Sequence, residues 1–242
     1  MGGAAAVLGR RRGAALLGLL AALALYDACA QRLPDLSEPW DVAFVAGVLI
    51  PAAFAAVWLA LPLAETRAAL PLGLALTALA VALSLAGLGV LFNIAKLAAL
   101  TLLGFCFLEL FQVLSWVVLI AVLIPWVDAI SVWRGPTDYV VSEQPGLFDR
   151  ISLAFPIPGE DSSANLGPPD VLFFALFLAA AARFGLRTGW TWLGMTALLS
   201  LTLVLTASFD FAGLPALPAV CIGFLLPNAD LLWRRLRDRR WS

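Results

Sequence analysis

The chain has 242 residues, 62% of them hydrophobic and only 13% charged, with a formal net charge of −1 and a mean hydropathy of +0.97. These values exclude an ordinary soluble domain and match a multispanning membrane protein; its arginines flank apolar runs and form no basic face for nucleic acid. Histidine is absent, which removes the Ser-His proteases, the His-Glu-x-x-His metalloproteases and most zinc or haem sites, and Cys29, Cys106 and Cys221 are too scattered for a disulfide or metal framework.

In chain order, Arg10 to Arg12 and the apolar run behind them resemble a signal peptide. No small-x-small cleavage site follows before Asp27, so a retained first helix is expected. A hydrocarbon core about 30 Å thick needs about 20 apolar residues per helix. Runs of that kind cover 13–30, 41–64, 68–90, 92–111, 112–133, 166–186, 190–208 and 213–233. The expected fold is an all-α membrane helix bundle of about eight spans, or nine, the cuts near Asn93 and Glu109 being the least marked. Alternating barrel strands would not give continuous apolar runs of this length. Residues 1–111 form an amino-terminal scaffold, and 112–242 form a second half interrupted by the loop 134–165.

Arginine placement orients the bundle. With Arg10 to Arg12 inside, eight spans also put the connections at Arg67, at Arg183 to Arg187, and the tail from Arg234 to Arg240 inside. Both termini are then cytoplasmic. The acidic connections, 31–40 with Asp35 and Glu38, 134–165, and the turn at Asp210, fall outside, with Arg32, Arg134 and Arg150 as isolated exceptions. The alanine- and arginine-rich usage suits a prokaryotic cytoplasmic membrane. Trp40, Trp126, Trp133, Trp190 and Trp233 read as an interfacial belt.

Two acids lie at matched depth near the outer side. Asp128 sits near the outer end of 112–133, and Asp170 lies just inside the next span, so the antiparallel helices can bring them together. A buried ionised carboxylate is costly, and acids placed in a membrane have a partner, a cavity or a function. The third element on that side is Gly213-Leu-Pro-Ala-Leu-Pro218, whose prolines must leave backbone groups unpaired. Paired carboxyl groups can share one proton, one acting as base on a water, and such hydrolysis needs neither histidine nor metal. Free backbone around Pro215 to Pro218 could hold an unwound segment as an added strand.

Val127-Asp-Ala-Ile-Ser-Val-Trp133, Leu166-Gly-Pro-Pro-Asp-Val-Leu-Phe-Phe174 and Pro215-Ala-Leu-Pro218 resemble, in order, the Tyr-Asp, Gly-x-Gly-Asp and Pro-Ala-Leu motifs of the presenilin and signal peptide peptidase family of intramembrane aspartyl proteases. The likeness covers 112–233. It implies a presenilin-like fold, peptide-bond hydrolysis in transmembrane helices or signal-peptide remnants, Asp128 and Asp170 as catalytic residues, and Gly167, Pro215, Ala216, Leu217 and Pro218 as substrate-binding residues. It implies no metal and no cofactor. The partners implied are transmembrane-helix peptides and the lipid bilayer. The chain departs from the family pattern in two motifs: Val127 stands in place of the tyrosine, and Pro168 and Pro169 stand between Gly167 and Asp170, where the family has a variable residue and glycine.

Two other classes fit the same residues: a presenilin-like protein that binds helices without cutting them, and an ion-coupled transporter in which the acids carry protons. Asp27 and Asp41 read as interfacial residues beside the first outer loop, Glu109 as an inner-interface residue, and Lys96 as a partner available to the acids. In the loop, 138–142 and 151–157 are β-prone, so the loop reads as mobile and able to form strands with a substrate; the alternative is plain disorder, which the acidic, proline-bearing 156–165 favours for its own part.

Overall fold

A long apolar run has one way to satisfy its own amides and carbonyls away from water, which is to coil into a helix. The computed structural model describes residues 8–134, 150–209 and 214–237, and these are overwhelmingly helical. Helix α1 covers Arg10–Cys29. Then α2 (Glu38–Phe44), a π turn (Val45–Leu49) and α3 (Ile50–Ala60) run on as one span, followed by α4 (Ala69–Leu85), α5 (Gly89–Phe107) and α6 (Leu114–Arg134). The second half has a hairpin of β1 (Leu153–Pro156) and β2 (Ser163–Leu166), then α7 (Pro168–Arg183), α8 (Thr188–Ser208), α9 (Leu217–Leu225) and α10 (Ala229–Arg237).

Among the described residues five segments are long and apolar enough to cross a bilayer: Arg10–Arg32, Glu38–Glu65, Gly89–Leu110, Leu114–Val132 and Thr188–Ser208. The other three expected spans hold shorter helices, α4, α7 and α9, of 17, 16 and 9 residues. The helical bundle expected from composition forms, with these five apolar segments of membrane-spanning length. Its outer surface fits a lipid solvent, since Leu85, Trp126 and Trp190 are 85%, 69% and 65% exposed.

Helix α7 forms the centre of the bundle. From Phe174 to Ala181 every side chain is buried, with Phe54 of α3 stacked on Phe174 at 3.9 Å and Phe224 of α9 on Phe177 at 4.8 Å. Small residues bring neighbouring backbones into contact with this core. A Cβ on Gly104 of α5 would collide with the Leu172 carbonyl of α7, and one on Gly223 of α9 would collide with the Met195 amide of α8. Packing that close draws on dispersion forces, the term that holds helices together where lipid competes equally for apolar surface.

The π turn has a local cause. Pro51 has no amide, so it cannot close a hydrogen bond onto the preceding turn. The Ile50 amide reaches Val45, and the Ala46 carbonyl is met instead by the Ser200 hydroxyl of α8 at 2.6 Å. A sequence defect in one helix thus becomes a tie to another.

Part of the 134–165 loop forms a hairpin where a mobile or disordered segment is expected. Strands β1 and β2 pair antiparallel, Leu153 opposite Leu166 and Pro156 opposite Ser163, so the β-prone 151–157 run does form a strand while 156–165 closes a hairpin. The composition of 156–165 was misleading because its partners are elsewhere in the chain. Tyr26 Oη donates to the Pro156 carbonyl at 2.6 Å, and Asn93 holds Ala154 from both sides, donating to its carbonyl at 2.7 Å and accepting its amide at 3.1 Å. Lys96 Nζ donates to the carbonyls of Arg150 and Ser152. Lys96 therefore anchors the hairpin, and the 138–142 run lies outside the described residues.

Candidate active site

Helix α6 carries Asp128 two turns before its end, and Pro125 lies inside the same helix. Pro125 withdraws the amide that would have bonded Ala121, which loosens the ladder just ahead of the acid. Asp128 is half-buried, and Val127 beside it is 61% exposed. The side chain that stands where the family has tyrosine therefore faces outward from the bundle.

Asp170 enters from the opposite direction. Strand β2 ends at Leu166, and Gly167, the N-cap of α7, keeps an extended backbone with φ −62° and ψ 147°. That conformation is required of a residue preceding proline. Pro168 and Pro169 occupy the first two helical positions, where a missing amide removes no internal bond. Asp170 follows as the third helical residue, and its carboxyl bonds back to the Gly167 backbone, one half of a capping box. It is 8% exposed.

The proline element supplies the third side. Residues 214–216 are non-helical, and α9 begins at Leu217 with Pro218 at its second position. The Leu217 amide belongs to the first turn and has no partner within its own helix. Asp128 Oδ2 accepts it at 3.0 Å. Pro215, Ala216 and Pro218 are half-buried around that contact, and Leu217 is buried.

The residues singled out in three separate motifs are therefore brought together: Asp128 and Leu217 by a direct bond, and Gly167 with Asp170 at the entrance to α7. Asp128 and Asp170 are thereby set at the same end of the bundle. Both acids also sit against helix N-termini, Asp128 at that of α9 and Asp170 at that of α7. Cys221, one turn into α9 and 1% exposed, lies within electrostatic reach of both carboxyl groups. The sequence marks Cys221 only as a small buried hydrophobe; its place one helical turn past Leu217 was the available signal.

Other acids are elsewhere. Glu109 pairs with Arg183 at 3.4 Å on the far side of α7, and Asp27 accepts from Asn93 at 3.2 Å beneath the hairpin. A cavity of about 390 Å³ opens beside Asp27, Asn93, Lys96 and Arg150, and neither Asp128 nor Asp170 lines it. Asp210 lies outside the described residues. No protein-family model matches the chain, and no curated protein matches it.

Proposed function

We propose that this protein is an intramembrane aspartyl protease with a presenilin-like bundle, in which α4, α7 and α9 complete eight passes and Asp128 and Asp170 cut peptide bonds within membrane-spanning helices. The observation that carries this reading is the bond from Leu217 to Asp128. It joins the proline element to one acid, while the other acid stands at the mouth of the adjoining helix. One carboxyl group holds a proton and the other draws a proton from water, which attacks the scissile carbonyl; the protonated acid then delivers its proton to the departing amine.

A helix cannot be cut while its carbonyls are tied into its own ladder, so the substrate must unwind locally. Irregular backbone at 214–216 and the strand edge that ends at Leu166, just before Gly167, offer partners for an extended segment. Gly167, Pro215, Ala216, Leu217 and Pro218 are the residues that would line it.

The test is cleavage of a reporter helix in proteoliposomes. Asp128→Asn and Asp170→Asn should each abolish product while the purified yield stays near wild type. Full activity in either variant removes the assignment. The Pro168-Pro169 pair favours one competing outcome, a scaffold that captures helices and leaves them whole. Reporter binding by the wild type with no product after long incubation would establish that outcome instead.

A further inference from the structure

We propose that the outer face carries a calcium site built from Asp35, Asp41 and Glu160, which clamps the β1–β2 hairpin to the connection between α1 and α2. Each of the three offers a carboxylate oxygen, and these oxygens all lie within 4.8 Å of one another. Calcium binds oxygen at about 2.3–2.6 Å, so two oxygens on one ion can be at most about 5 Å apart. The cluster satisfies that limit for every pair.

Asp41 gives the independent sign of a ligand. It is 4% exposed, and its Oδ1 has no hydrogen-bond partner among the described residues. A buried carboxylate oxygen left unpaired is costly. Here it belongs to a group that faces two further acids, the wrong neighbours for a lone carboxylate and the right ones for a cation. Among the described residues the ion pairs are Arg183 with Glu109 and Arg187 with Asp230, so no basic side chain neutralises the three.

Backbone contacts, rather than chance side-chain placement, bring the acids together. Gly159 adopts φ +77° in the hairpin turn and donates its amide to the Ala30 carbonyl at 2.9 Å. A Cβ there would fall 2.6 Å from both Cα and N of Asp35. The turn is thus pressed onto the α1–α2 connection, which forces Glu160 beside Asp35 and Asp41 despite their like charges. Two exposed acids and one buried acid suit calcium, which accepts irregular oxygen sets and completes its shell with water, better than magnesium, which demands a near-ideal octahedron.

The experiment uses the purified full chain in detergent and does not depend on proteolysis. Calcium chloride titrated calorimetrically should bind saturably, with half-saturation at about 10⁻⁴ to 10⁻³ M as in extracellular modules. Thermal melts should rise in calcium relative to EDTA. Asp35→Asn and Glu160→Gln should each remove that rise, and in EDTA each should melt no lower than wild type because a repelling charge has gone. Absence of saturable binding to wild type, or a calcium-dependent rise that survives in the double variant, overturns the proposal.

Discussion

The Leu217 amide donates to Asp128 Oδ2 at 3.0 Å, so an acid on α6 caps the first turn of α9 across the helix interface. The same carboxyl group therefore has a structural duty and, on the proposed reading, a chemical one. The two are separable by substitution. In Asp128→Asn the amide oxygen can still accept from Leu217, and stability should stay within about 1 kcal/mol of wild type. Asp128→Ala leaves a buried donor unmet and should cost about 1–3 kcal/mol. Both should lose cleavage. Melting curves in detergent check the split; coincident curves for Asn and Ala would mean that the cap contributes nothing.

Pro169 stands where the family has glycine, and it is exposed at the entrance to α7. A pyrrolidine ring there keeps an incoming backbone farther from Asp170 than glycine would, while it fixes the helix start. Pro169→Gly should raise the initial rate of reporter cleavage several-fold and lower stability by about 1 kcal/mol, because glycine has more freedom to lose on folding. Rates in proteoliposomes alongside melts test this. A variant no faster than wild type would show that the ring does not obstruct the substrate.

That the chain is helical was legible from apolar run length, and so was the placing of Asp128 and Asp170 at one end of the bundle, because α6 and α7 are consecutive antiparallel helices with an acid near the end of one and the start of the other. The proline element was legible because Pro215 and Pro218 must break backbone pairing wherever they fall. Contacts between distant segments were not. Nothing at 156–165 signals that Asn93, Lys96 and Tyr26 will hold a hairpin there, and three acids at positions 35, 41 and 160 have no shared spacing to mark them as one cluster. Lys96 fits this pattern: its sequence position suggested a partner for an acid, and carbonyls of the hairpin took it instead.

Ser200 provides a test of the packing that does not depend on any activity. Its hydroxyl meets the Ala46 carbonyl at 2.6 Å, the group affected by Pro51 and the π turn. Ser200→Ala should destabilise the protein by about 0.6–2 kcal/mol, the span of values found for hydrogen bonds between membrane helices. Ser200→Ala combined with Pro51→Ala should cost less than the sum, because an alanine at 51 restores an amide to the turn. Additive melts would show that the π turn has another cause.

Orientation decides which substrates the proposed site can receive. The connections at one end of the bundle carry Arg67 and the cluster from Arg183 to Arg187, and the chain beyond Trp233 is arginine-rich, whereas the hairpin and its acids lie at the other end. We propose, on the positive-inside rule, that the hairpin faces outward and the tail inward. A substrate helix entering beside Asp128 and Asp170 would have its amino end inside and its carboxyl end outside. That is the orientation of a signal peptide left in the membrane after secretion, and of the signal peptide peptidase branch rather than presenilin. Reporter fusions after Arg150 should be active only outside, and fusions after Ser242 only inside. The reverse pattern would invert the substrate class and leave the carboxyl chemistry untouched, because both acids sit on the same end of the bundle in either orientation.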